Sequence, residues 1–593
     1  MSRTFRKVSG TNAKGHWSNI MFMATSCIAE DGFAVLNSVT YSSWSRWKNK
    51  YHNTDNGFSY NCEEFWNEIA FKCTKKGKLI VIGYDIGNSL ALCSLWEKIE
   101  DGILKWEGGA INTPPFVVNV TFKGRMITFI DVLNYYDENI DNIVSRALQV
   151  KPMSCQFNNR GEENVERTQV ELSAVETVIF DLIKMHDEKG WGEVKNTGPA
   201  CAYNVYRHKY YDVPYYTHDN SDALKIERDS YYGGRCQIFR VQSFFEPTYH
   251  LDINSAYPYV MKTRDMPFRL ASSYECIGKD SLRALLIQYL GCAHVCVNSF
   301  EYPYPVKVDG QTIFAHGKFW TYLCGDELKR ALDMGHVEHV ANASIYHKEK
   351  LFTRYVDDIY GEKLSAKISG DKHAEGTAKM MLNSLYGKFA QKTALWIDVR
   401  KIIAPQAWGH YWEDVPGREG KVAARSIAYN VQIQSEQEEK EHSSPIISAC
   451  ITSALRVYLW ELILICGIDN VYYTDTDSIH CNEDGMERLR LAGKLHDYEL
   501  GKMKVECEYS AVQYFGPKRY VVDDTIVLAG LKKNARKGKE NNWHFDILER
   551  TPSIIARRPD GTVRYWPKSV SMEEPSFSGK LLDDGRLLPP VLE

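Results

Sequence analysis

In the run VYYTDTDSIH two aspartates, Asp475 and Asp477, stand two apart among β-branched and aromatic residues. Side chains alternate along extended backbone, so the pair is expected on one face of a strand or hairpin, with Thr476 opposite. Two carboxylates on one face repel unless a cation lies between them. A further aspartate, Asp252, follows the strand-like start of YHLDINSAYPYVM, with Asn254, Ser255, Tyr257 and Pro258 after it. One carboxylate from each of two strands can hold two Mg²⁺ ions about 4 Å apart, with Mn²⁺ as a substitute. Such a pair activates a 3′-hydroxyl and stabilises a leaving pyrophosphate. Taken alone, a DxD pair also fits a metal-dependent glycosyltransferase, and an isolated Asp252 fits a turn or a cap.

A third element is GTAKMMLNSLYGKFA. On a helix, Lys379, Asn383, Tyr386 and Gly387 fall at i, i+4, i+7 and i+8 and share a face. A cation, an amide and an aromatic ring beside a glycine suit a triphosphate with a base stacked behind it. A mid-helix glycine costs ~1 kcal/mol against alanine, so Gly387 is expected to serve the close approach of a partner such as a template strand.

These residues need a large folded frame. The 593 residues correspond to about four units at ~150 residues each. With 44% hydrophobic and 25% charged residues the chain is globular, and disorder as its main state is excluded. Lys plus Arg is 72 against 76 Asp plus Glu, a formal net charge of −4. A globally basic coat for nucleic acid is thereby excluded, so a polyanionic partner must meet a local basic patch. The most apolar stretch, Ile446 to Ile468, is interrupted by Arg456 and Glu461 and is expected to be a buried helix, with no membrane contact. The basic N-terminus is followed only by IMFMA, too short for a secretory core. None of the fifteen cysteines forms a CxxC pair. Cys292 and Cys296, with His294 between them, lack two further zinc ligands. Free thiols in a reducing, cytoplasmic compartment are expected, the host cytoplasm if the chain is viral or plasmid-encoded.

The texture changes along the chain. Residues 1–190 alternate strand-like runs (KLIVIGYDI, FVVNVTF, RMITFIDVL) with the helical ELSAVETVIFDLIKM, an α/β pattern. A helical pair is expected around 350–392, and the polar QSEQEEKEHSSP at 434–445 suggests a solvated loop tip.

DINSAYP, KMMLNSLYGK and YTDTDS resemble, in that order, the A, B and C motifs of family B DNA polymerases. Their compact spacing resembles the protein-primed branch of linear phage and plasmid genomes. The resemblance implies an α/β multidomain fold, with an RNase H-like exonuclease-type domain and a palm, fingers and thumb arranged as a right hand. It implies an exonuclease-like domain at 1–195, palm at 196–262 and 446–524, and fingers at 355–392. An insertion of the type that docks a priming terminal protein falls at 263–354. A second, of the processivity and strand-displacement type, falls at 393–445, and the thumb and tail at 525–593. Asp252 and Asp477 are then the main metal ligands, joined by the Ile253 carbonyl and supported by Asp475. Ser255, Tyr257, Lys367, Lys379, Asn383 and Tyr386 would meet the dNTP, the Tyr257 ring, aided by Tyr386, blocking a ribose 2′-hydroxyl. Ser384 and Gly387 would lie along DNA. Tyr231, Tyr232, Gly233 and Gly234 resemble the template-contacting YxGG element, and Lys518 and Tyr520 the KxY element at the primer end. Residues 511–558 carry ten Lys or Arg, among them Lys532 and Lys533, against five acids, as a thumb gripping duplex phosphates needs.

The N-terminal third departs from the family. The expected Asp-x-Glu falls at Ala24 to Ser26, Ser89 stands where a second-motif aspartate belongs, and Val170 and Ala174 replace a Tyr-x-x-x-Asp. With Ala24, Ser26, Ser89 and Ala174 a metal pair has too few carboxylates, and Asp85 and Asp131 do not replace them. The resulting expectation is a DNA-directed DNA polymerase without proofreading, acting on primer–template DNA and dNTPs, with a 3′-hydroxyl or a protein hydroxyl as acceptor. A DxD glycosyltransferase leaves the Lys379 helix and the KxY element unexplained. A non-catalytic DNA-binding scaffold leaves three intact aspartates unexplained.

Overall fold

The computed structural model describes residues 6–593 apart from 13–14, 74–76, 113, 151–161, 244–245, 394–395, 402–408, 415–419, 436, 524, 529, 532–534, 539–541, 558–559 and 572–578. At its centre, five antiparallel strands lie in the order Cys236–Ile238, Val471–Asp475, Ser478–Cys481, Thr248–Ile253 and Met503–Tyr509. The helix Pro445–Cys466 packs into the same hydrophobic core as this sheet. By length and composition that helix could cross a membrane, but most of it is buried inside the protein. Its Arg456 is paired with Glu327, as a core helix requires of a buried charge.

The β-branched runs of the N-terminal third form the strands Leu79–Gly83, Phe116–Phe122 and Arg125–Asp131, and the helical run lies in Glu162–Lys189. Three strands, Asn19–Glu30, Leu79–Gly83 and Arg125–Asp131, are parallel at the heart of a ten-stranded mixed sheet. Helix Glu162–Lys189 covers one face through Val175, Val178, Ile179 and Leu182, and Phe65, Trp66, Leu90 and Trp96 fill the other. The C-terminal section is tied to this sheet by strand pairing. Its strands Asn542–Leu548 and Val563–Ser571 join the edge of this N-terminal sheet, through Phe33 opposite Arg564 and Ala34 opposite Val563. The alternating pattern of NWHFDIL marks a strand but not its partner, because edge pairing is a long-range choice.

Between the first two motifs, Met266–Tyr274, Val337–Glu349, Leu290–Ser299 and His316–Cys324 build an antiparallel sheet, and Val591–Leu592 adds to its edge. Helix Gly325–Asp333 packs this unit onto Pro445–Cys466. The helical pair is Thr353–Ser369 and Lys372–Phe389, separated by Gly370 at φ +76° and capped by Asp371, which accepts from the Ala374 amide. A four-stranded antiparallel sheet, ordered Trp396–Lys401, Asn430–Gln434, Lys421–Ile427 and Gly409–Asp414, follows.

The polar stretch at 434–445 is not a solvated tip. Glu439 pairs with Arg228, the His442 ring stacks on Tyr203, and Ser443 and Ser444 are buried. Its polarity matches polar partners on neighbouring elements, which composition alone does not disclose.

Candidate active site

Register brings the aspartates together. Asp252, one residue before the end of its strand, lies opposite Ser478, and the Ile253 amide donates to the Asp477 carbonyl at 2.9 Å. The strand carrying Asp475 stops there, and Thr476 turns at φ +63°, in the left-handed region. The regular alternation of an extended strand is therefore broken at 476, and the two carboxylates line the same cavity with different neighbours. The turn is held by the Thr476 amide donating to the Arg235 carbonyl at 2.7 Å. A Cβ on Gly234 would lie 2.7 Å from the Thr476 side chain, so this glycine lets the turn approach, whereas Gly233 faces open space.

The electrostatics of the three acids differ. Burial raises the Asp252 carboxyl above its ordinary range, with Lys504 opposing. Asp477 is pushed up to about 7 by burial and then by the charges of Asp252 and Asp475. Asp475 is held below the usual range: burial opposes its charge, but the Cys236 thiol and the Lys518 ammonium donate to it and prevail. Asp252 and Asp477 are thus two half-buried like charges, only partly offset by Lys504 and Lys379, a donor set of hard oxygens suited to Mg²⁺ together with the adjacent Ile253 carbonyl. No group of three or more His, Cys, Asp or Glu side chains gathers for a metal among the described residues, so side chains alone do not complete such a site.

These groups line one cavity of about 660 Å³. Ser255, Tyr257, Lys367, Lys379, Asn383, Tyr386, Lys518 and Tyr520 line it too. The helix Lys372–Phe389 buries Ala378, Met381, Leu382, Leu385 and Phe389, and leaves Lys379, Asn383 and Gly387 exposed on the opposite face. The rings of Tyr257 and Tyr386 stack at 4.1 Å between centroids, 17° from parallel. Gly387, whose Cβ position is open, and the half-buried Ser384 lie outside the cavity, as do Tyr231, Gly233 and Gly234. Lys532 and Lys533 lie outside the described residues.

Several lining residues escape the motif pattern. Lys363 donates to the Ser255 hydroxyl at 2.8 Å, and burial, then repulsion from Lys379, lowers its ammonium to about 8. It precedes Lys367 by one helical turn, so the i, i+4 spacing could have disclosed it. Lys504, opposite Asp252, and Glu506 reach the cavity through strand register, which carries no local signal.

In the N-terminal sheet Ala24 and Ala174 are buried in one apolar core. Ser26 shares a hydrogen bond with Ser38 at 2.6 Å and accepts from Asn37, while Thr25 donates to Ser89 at 2.9 Å. Asp131 is buried and accepts from the Ile86 and Leu133 amides. Burial, then the nearby Asp85, pushes it up to about 8.

Residues 193–402 match the family described as DNA polymerase type B, organellar and viral. The chain is 25% identical over 345 residues to a probable DNA polymerase of Neurospora intermedia, covering 55% of this chain and 33% of that one. It is 25% identical over 297 residues to the DNA-directed DNA polymerase of Enterobacteria phage PRD1, covering 50% of each. The chain spans about a third of the length of its fungal relatives. Phi29 DNA polymerase, solved with primer-template DNA and incoming nucleotide, superposes with a TM-score of 0.67 at 15% identity, over 94% of this chain and 100% of that one. That likeness shows the fold alone, an α/β multidomain one shared along nearly the whole chain.

Proposed function

We propose that the chain is a DNA-directed DNA polymerase of the type B, protein-primed kind that lacks proofreading. The convergence of Asp252, Asp477, Lys363, Lys367, Lys379 and the Tyr257–Tyr386 stack on one cavity carries this reading. Two Mg²⁺ ions (or Mn²⁺), held by Asp252, Asp477 and the Ile253 carbonyl, would activate the primer hydroxyl and stabilise the leaving pyrophosphate. The chain's own residues do the rest. The lysines neutralise the triphosphate as the primer oxygen bonds to the α-phosphorus and the α–β bridging bond breaks. Asn383 and the stacked tyrosines seat the nucleotide, with Tyr257 excluding a 2′-hydroxyl. Lys518, fixed by Asp475, and Tyr520 hold the primer end, while Tyr231, Gly233, Ser384 and Gly387 border the template.

The partners are primer–template DNA, dNTPs and a priming protein whose hydroxyl receives the first nucleotide. The unit at 263–354 docks that protein, and the sheet within 393–445 closes around template. The reaction takes place in the cytoplasm. Ala24, Ser26, Ser89 and Ala174, packed in a core or hydrogen-bonded to neutral neighbours, bring no carboxylate for an exonuclease metal pair, which supports the absence of proofreading. The test is primer extension on a defined template with Mg²⁺, with dNTPs and rNTPs supplied separately. Extension by dNTPs supports the reading. Turnover of a nucleotide sugar without primer extension would replace it by a glycosyltransferase.

A further inference from the structure

Arg456 and Glu327 are each only 1% exposed, yet neither reaches the cavity. The guanidinium donates through Nε and Nη2 to the two Glu327 oxygens, both at 2.7 Å. Its Nη1 donates to the carbonyls of Tyr232 at 2.9 Å and Gly233 at 2.8 Å. One side chain therefore joins helix Pro445–Cys466, helix Gly325–Asp333 and the segment 232–233. The Tyr232 hydroxyl adds a 3.0 Å bond to Thr321.

The next residues of that segment carry the catalytic turn. Gly234 packs against Thr476, and the Arg235 carbonyl accepts the Thr476 amide. The Arg235 side chain is fully buried, 4.2 Å from the Phe314 ring centroid and 4.6 Å from that of Trp460. Cys236, one residue further, donates its thiol to Asp475. Every anchor of the Asp475–Asp477 turn on this side is thus a backbone or side-chain group within 234–236. The carbonyls just before it are fixed by Arg456.

We infer that Arg456 and Glu327 are positioning residues for nucleotidyl transfer, holding segment 232–236 so that the turn presents Asp477 to Asp252. This rests on the polymerase reading. It adds that the unit at 263–354, which supplies Glu327, sets the geometry of the catalytic acids as well as any docking it performs.

The test measures single-nucleotide addition by the full chain at saturating primer–template, with dNTP and Mg²⁺ varied, alongside primer–template Kd and melting temperature. Arg456→Lys keeps the charge but loses the planar fork that reaches a carboxylate and two carbonyls together. The double variant Glu327→Met with Arg456→Met replaces the pair by apolar groups of similar volume. Both are expected to lower kcat about tenfold or more and to raise the Mg²⁺ requirement, with dNTP KM and primer–template Kd within about twofold of wild type. Asn134→Ala, which removes buried hydrogen bonds in the N-terminal sheet, controls for lost stability and should leave kcat unchanged. A wild-type kcat in either pair variant, or an equal loss in Asn134→Ala, would overturn the inference. A wild-type chain that extends no primer would instead refute the polymerase reading.

Discussion

The Lys518 ammonium lies 2.9 Å from both carboxylate oxygens of Asp475. With the Cys236 thiol donating to the same carboxylate at 2.8 Å, Asp475 is committed to protein donors, whereas Asp477 faces Asp252. The two aspartates of one turn therefore have different work. One carries charge raised against Asp252, which a bound cation would relieve, and the other fixes a lysine at the cavity wall.

That division predicts unequal losses. Asp477→Asn should lower the rate of primer extension by about a thousandfold or more, since it removes metal-borne transition-state stabilisation. Asp475→Asn should cost about ten- to a hundredfold and should weaken primer–template binding, because Lys518 is released. Single-turnover extension with a parallel binding titration separates the two, and equal losses without a binding defect would contradict the assignment.

The Tyr257 ring is stacked on Tyr386 at 4.1 Å between centroids, and on the proposed reading it stands against the nucleotide sugar. Tyr257→Val should raise ribonucleotide incorporation relative to dNTP use by about tenfold or more, with a modest loss of dNTP efficiency. Competition between each rNTP and its dNTP on one template measures it. Unchanged discrimination would move the gate to Tyr386.

Asp131 gives the N-terminal sheet a pH dependence. Its folded-state pKa is raised to about 8 by burial and by Asp85. The folded chain thus binds a proton that the unfolded chain has released, and stability falls as pH rises from the ordinary carboxylate range through about 8. Asp131→Asn, whose amide oxygen can still accept from the Ile86 and Leu133 amides, should raise the melting temperature at pH 8–9 and have little effect near pH 4. A melting curve series across pH checks the sign.

The proposed absence of proofreading has its own readout. With 3′-labelled single-stranded DNA and Mg²⁺ or Mn²⁺ the chain should release no nucleotide, and mismatched primer ends should persist. Degradation that disappears in Asp85→Ala or Asp131→Ala would show a working site built on the remaining acids.

What could be foreseen from residues alone follows physical range. Lys379, Asn383 and Tyr386 were legible because helical periodicity is local, and the buried helix around Arg456 because its composition is. Asp252 could be placed beside the Asp475–Asp477 pair by motif order. The differing environments of Asp475 and Asp477 were not legible, since they depend on Thr476 leaving the extended region and on Lys518 arriving from another sheet. Gly234 is expected from its motif to lie along template, and within the chain the group close to it is the Thr476 side chain, a contact with no local signal. The joining of Val563–Ser571 to Phe33 and Ala34, and the pinning of Glu439 by Arg228, are contacts between distant stretches with no local signature.

The central claim is that Asp252 and Asp477 perform nucleotidyl transfer dictated by a template base. The most direct measurement presents the chain with four primer–templates that differ only in the first unpaired template base, each with one dNTP at a time and Mg²⁺. One-nucleotide addition is expected only where the dNTP complements that base, and is expected to be lost on removing Mg²⁺ and in Asp252→Ala. Addition independent of the template base, or addition that survives Asp252→Ala at a tenth or more of the wild-type rate, would contradict it.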